Sequence, residues 1–148
     1  MSIKARKKAR QFLMQAIYQY QMTQADSEDW YSIQIQFHQM NDMSKCDVSY
    51  FDTHLQKIAQ NLTEVDTAFE PYLDRKLTEL NPIELALIRL GTYELLHCLD
   101  IPCRVVLNEA IHLAKEYGSE EGYKYVNGIL NKVARQVRTL EGDWTKSL

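Results

Sequence analysis

Apolar residues recur at helical spacing along most of the chain. Ala5, Ala9, Phe12, Leu13, Ala16 and Tyr20 lie within a stretch, Ala5 to Met22, that has no Gly or Pro. With 3.6 residues per turn this spacing lines them on one face and predicts a first helix. Trp30, Ile33, Phe37 and Met40 predict a second, with Asp26 or Ser27 as its N-cap. Phe51, Leu55, Ile58 and Leu62 predict a third. Thr63, with Asp66 three residues on, predicts a capped short helix running toward Tyr72.

Asn81-Pro82-Ile83-Glu84 is a helix start: an Asn cap, Pro at the first helical position and a carboxylate at the positive end of the dipole. From Ile83 to Leu96 apolar residues point in nearly every direction, and Glu84, Arg89 and Glu94 are the only charges. Such a helix belongs in the middle of a domain. Asp100-Ile101-Pro102 ends it. Val105, Val106, Ala110, Leu113 and Ala114 predict a sixth helix stopping at Gly118; Ser119 then caps a seventh, carrying Val126, Leu130, Val133 and Val137. Nothing alternates with period 2 and nothing repeats, so the expected fold is all-α, a compact bundle of about seven helices over residues 1–140. Residues 141–148, part of a Leu140 to Leu148 stretch without helical period, are expected to form a loosely ordered tail.

Composition agrees. At 148 residues, 45% of them hydrophobic, with five Gly and three Pro, the chain can bury one helical core. Cys46, Cys98 and Cys103 are odd in number and form no CxxC pair, which points to reduced, buried thiols. No apolar run is long enough to span a membrane and the N-terminus lacks a secretory signal, so the expected location is the cytoplasm.

Charge changes the picture more. The net charge of −3 hides five cations, Lys4, Arg6, Lys7, Lys8 and Arg10, that precede the first acid, Asp26. The rest of the chain holds the other 12 basic and all 20 acidic side chains, a balance of −8, so a positive end stands against an acidic body. On a helical wheel Lys4, Lys7, Lys8 and Tyr18 lie opposite the apolar arc, with Arg6 and Arg10 on its border. Cations near a helix N-terminus oppose the dipole, a cost that a bound anion offsets. A solvated surface is the bland alternative. A lipid surface fits less well, because the apolar stripe is built largely of small residues. Tyr18, among the cations, suits a stacking base or a partner protein. The last helix adds Lys124, Lys132 and Arg135, flanked by Tyr125 and preceded by Tyr117. Rings interleaved with cations suit single-stranded RNA.

Catalysis is not indicated. Glu94 to His97 and Glu109 to His112 repeat the Glu-x-x-His pattern of di-iron bundles, but the first helix offers no acid and the apolar stripe of the second none. P-loop, GxGxxG, GxSxG and HExxH motifs are missing, so no catalytic, metal or cofactor site is expected.

Several segments carry a resemblance: Ala5-Arg6-Lys7-Lys8-Ala9-Arg10 with Gln15-Ala16-Ile17-Tyr18, Pro82-Ile83-Glu84, and Arg89-Leu90-Gly91-Thr92-Tyr93-Glu94-Leu95. Ile101-Pro102, Val105-Val106-Leu107-Asn108-Glu109-Ala110-Ile111, Leu113-Ala114-Lys115, Tyr117-Gly118 and Tyr125-Val126-Asn127-Gly128-Ile129-Leu130 follow in order. In these the chain resembles the NusB family; Gln24 to Asp47 and the tail after Val137 match poorly.

The resemblance implies an all-α fold of two helical subdomains, here residues 1–78 and 79–140. It implies a bacterial antitermination factor that binds boxA RNA jointly with ribosomal protein NusE. That complex joins other Nus factors on the elongating RNA polymerase, notably on ribosomal RNA operons. By position, Lys4, Arg6, Lys7 and Arg10 would meet RNA phosphates, Lys124, Tyr125 and Tyr72 would meet the RNA elsewhere, and Tyr18 and Glu84 would meet NusE. Some relatives form dimers, which leaves a homodimer open. Two departures bear on affinity: Lys7 and Lys8 stand where relatives often carry Arg, losing bidentate phosphate geometry, and Glu121-Gly122 replaces a more variable acidic-polar pair.

Overall fold

The computed structural model describes residues 2–23, 29–139 and 141, and among them are seven α-helices and no strand. They are α1 (Ile3–Thr23), α2 (Trp30–Met40), α3 (Val48–Gln60), α4 (Leu62–Phe69), α5 (Pro82–His97), α6 (Cys103–Tyr117) and α7 (Gly122–Val137). Short 3-10 turns at Glu70–Tyr72 and Leu77–Glu79 link α4 to α5.

Local chemistry sets the starts. The Ser2 hydroxyl accepts the Ala5 N–H at 3.1 Å, capping α1. Asn81 accepts from the N–H groups of Ile83 and Glu84 at 2.9 and 3.2 Å, the cap its sequence predicts for α5. The cap of α2 is Asp29, which accepts from Ser32 N–H at 2.7 Å. Asp26 and Ser27, expected in that role, lie outside the described residues. Leu62 opens α4 instead of closing α3, so Thr63 sits inside a helix and caps nothing; its carbonyl accepts the Thr67 hydroxyl.

By its contacts the chain divides between Asn61 and Leu62, not at the expected position 78. The reason lies in α4, which packs on α5 and sends Asp66 to Arg89. In the first unit, α1 buries Ala9, Leu13, Ala16 and Ile17, and α2 and α3 bury Ile33, Phe51, Leu55 and Ile58. Phe12, Phe37 and Phe51 meet pairwise with centroids 5.6 to 6.3 Å apart, and Tyr20 stacks on Trp30 at 4.0 Å. Aromatic pairs at these separations add to the burial of their apolar surface. Met40, expected in the buried stripe of α2, is 80% exposed and instead borders a groove between α1 and α2.

In the second unit α4, α6 and α7 pack on α5, which is buried without a break from Glu84 to Leu95. A Cβ added at Gly91 would lie 2.6 Å from a Leu130 methyl, so this glycine allows α5 and α7 their close approach. The stripe of α6 runs through Val106, Ala110, Leu113 and Ala114, but Val105, expected in it, is exposed. Beyond α7, Arg138 donates to the carbonyls of Leu95 (2.7 Å), Ile101 (2.9 Å), Cys98 (3.0 Å) and Glu94 (3.2 Å), closing the C-terminal end of α5. Glu141 accepts from Arg138 and from the N–H of Cys103, so this first residue of the expected loose tail is fastened. Leu140 and residues 142–148 lie outside the described residues.

Candidate nucleic-acid interface

The cations of α1 fall into two kinds. Lys4 and Lys7 are exposed. Lys8 is half-buried, its ammonium 4.9 Å from the centre of the Phe12 ring. Arg6 donates from Nε to Asp47 at 3.2 Å and lays its guanidinium 4.0 Å from the Tyr50 ring centre. Arg10, placed by the wheel on the same border as Arg6, is only 4% exposed, with its guanidinium 5.6 Å from the same ring. On this helix Lys4 and Lys7 are thus the exposed cations and Arg6 is partly so, whereas Arg10 lies buried against Tyr50.

Asp47 and Tyr50 escaped the sequence reading. Asp47 caps α3, accepting the Tyr50 N–H at 3.1 Å, and is itself buried. One carboxylate thus starts a helix and fixes an arginine 41 residues away. The cap is legible in the sequence; the long-range pairing carries no linear signal.

Tyr18 is half-buried, less open than the wheel suggested. It lines the groove of about 460 Å³ between α1 and α2, with Gln15, Gln19, Met22, Phe37 and Met40.

In the second unit Lys124 is exposed and paired with Glu121 at 2.8 Å, and Lys132 and Arg135 are exposed on the same helix. Tyr125 is half-buried, and its hydroxyl donates to Asp74 at 3.0 Å. Asp74 also accepts from Arg75 Nε and Nη2 at 2.7 and 3.1 Å, and the Arg75 guanidinium lies 4.8 Å from the Tyr125 ring centre. The Arg75 and Tyr125 hydrogen bonds hold the Asp74 carboxyl down at about 2; burial pushes the Tyr125 phenol up. Tyr72, half-buried, closes the 3-10 turn just before this cluster. Arg75 was missed because its neighbours in sequence gave it no helical face.

Glu84 is 7% exposed, and its carboxylate accepts both the N–H (2.9 Å) and the hydroxyl (2.7 Å) of Ser119. A Cβ at Gly122 would overlap that carboxylate, so Gly122 is the residue that lets Glu84 reach the start of α7. Ser119, expected to cap α7 directly, instead holds the carboxylate there. Glu84 thus sits at the positive ends of two helix dipoles, its own and that of α7.

The two Glu-x-x-His pairs are not brought into one cluster. His97 meets Glu64 at 2.6 Å, Glu94 is buried, and His112, exposed, meets Glu116 at 3.8 Å. Among the described residues no three His, Cys, Asp or Glu side chains are grouped as a metal would require. Cys46, Cys98 and Cys103 are free thiols and buried; burial pushes Cys103 up to about 12.

Comparison with known proteins gives the family. The family model described as "NusB family" matches residues 7–135. A transcription antitermination protein NusB of Legionella pneumophila (strain Corby) is 45% identical, over 95% of this chain and 93% of its own. One of Pseudomonas savastanoi pv. phaseolicola is 48% identical over 92% of this chain and 81% of its own. The solved structure of T. maritima NusB superposes with a TM-score of 0.78 at 29% identity, covering 96% of each chain. Among the described residues no helix is long and apolar enough to cross a membrane.

Proposed function

The chain belongs to the NusB family of transcription antitermination proteins, which is not a family of enzymes, and from that premise we propose that it binds boxA RNA jointly with NusE. The complex joins other Nus factors on elongating RNA polymerase in the cytoplasm. The observation that carries the reading is the cationic arc of α1, where exposed Lys4 and Lys7 adjoin an Arg6 fixed by Asp47 and Tyr50. Phosphates pair with Lys4, Arg6 and Lys7, and Arg10 acts through Tyr50. Lys124, Tyr125 and Tyr72 supply contacts from the second unit. Tyr18, open to the α1–α2 groove, meets NusE; Glu84 acts indirectly, by holding the turn before α7.

Titration of boxA RNA with and without NusE, at two salt concentrations, tests this reading. Binding weakens as salt rises, because each phosphate contact releases counterions, and NusE tightens it. Salt-insensitive binding, or no gain from NusE, overturns it.

A further inference from the structure

Asp74, Arg75 and Tyr125 form a closed triangle. Asp74 holds Arg75 through two hydrogen bonds and Tyr125 through a third, and the guanidinium lies over the ring. Both planar groups are therefore fixed before any ligand arrives. The Arg75 side chain is 46% exposed, and its Nη1 hydrogen bonds to nothing among the described residues. Because Asp74 neutralises it, the arginine offers a plane and donors but little net charge. Guanidinium planes stack on rings and on nucleobases, whereas phosphate capture draws on uncompensated charge.

We propose that Arg75, backed by Tyr125 and clamped by Asp74, is the outer leaf of a stacking platform for one unstacked base of single-stranded RNA. The proposal rests on the RNA-binding reading above and adds a residue and a mode of contact to it. Tyr125 then reaches RNA through Arg75 and not by its own face. Arg75 contributes stacking, whereas Lys4 and Lys7 neutralise phosphate.

The test uses the full chain and boxA RNA carrying 2-aminopurine at single positions, titrated across a salt series. Arg75→Lys keeps the charge and loses the plane. It is expected to bind about tenfold more weakly at every salt concentration, with the slope of log K against log salt unchanged and fluorescence quenching lost at one position. Asp74→Asn frees the charge and is expected to steepen that slope by about 0.7, the value for one added phosphate contact on a single strand. Both positions are exposed, and helical circular dichroism with cooperative unfolding confirms intact variants. No RNA binding by the parent overturns both readings. Parent binding with Arg75→Lys within twofold of it, or with the Asp74→Asn slope unchanged, overturns this one alone.

Discussion

Helix α1 carries five cations and no acid, whereas α5 carries Glu84, Arg89 and Glu94 within its buried stretch, Glu84 to Leu95. In α5 the charges are turned to internal tasks. Arg89 donates two hydrogen bonds to Asp66, both at 2.9 Å, and Glu84 holds Ser119. In α1 Arg6 is held by Asp47 and Tyr50, Arg10 lies buried against Tyr50 and Lys8 lies near Phe12, while Lys4 and Lys7 are exposed to solvent. A charge fixed inside a unit supports that unit; one left on the surface is available to a partner. This difference, more than the number of charges, separates the scaffold helix from the surface we propose as an interface.

The comparison breaks most visibly at the C-terminal end of α5. Arg138→Ala would take a donor from four carbonyls, of which Glu94 and Cys98 keep a backbone N–H, and should lower unfolding stability by about 4 kcal/mol, read by urea denaturation, since unsatisfied buried groups such as the Leu95 and Ile101 carbonyls cost about 1–3 kcal/mol each. Gly122→Ala, forced against Glu84, should cost about 2–3 kcal/mol, in the range of overpacked cores. In the Glu84→Ala background the same glycine change should cost far less, and a double-mutant cycle measures that coupling.

Smaller effects sharpen the contrast. Cys103, wholly buried and raised to about 12, should resist a thiol reagent at pH 8 until the protein unfolds, with a rate that follows denaturant. Asp74 gives the smallest effect. Its folded value of about 2 lies below the ordinary 3.8, so its contribution is fully present above about pH 4 and is lost as pH falls through 2. The Asp74→Asn variant should be slightly less stable than the parent above about pH 4, with the gap closing as pH falls from 4 through 2.

Helical periodicity made α5 and the apolar face of α1 legible, because both depend on residues a few positions apart. Pro82 after Asn81 marked the start of α5 for the same reason. What periodicity does not convey is how far a neighbouring helix covers a border position. Arg6 and Arg10 read alike on the wheel, yet Arg10 is buried; Met40 and Val105 read as core, yet both are exposed. Glu84 read as an ordinary first-turn carboxylate or a partner contact, because Ser119 and Gly122, which determine its use, lie more than 30 residues on. The Asp74–Arg75–Tyr125 triangle was invisible for a similar reason: its members are local on one side and 50 residues apart on the other.

The central claim, that the outward cations of α1 serve RNA and not the fold, is tested most directly by Lys4→Ala combined with Lys7→Ala. The account predicts unfolding stability within about 0.5 kcal/mol of the parent. It also predicts weaker binding to boxA RNA, with the magnitude of the salt slope reduced by about 1.4, the value for two phosphate contacts on a single strand. An unchanged slope, or a loss of stability that accounts for the weaker binding, would contradict it.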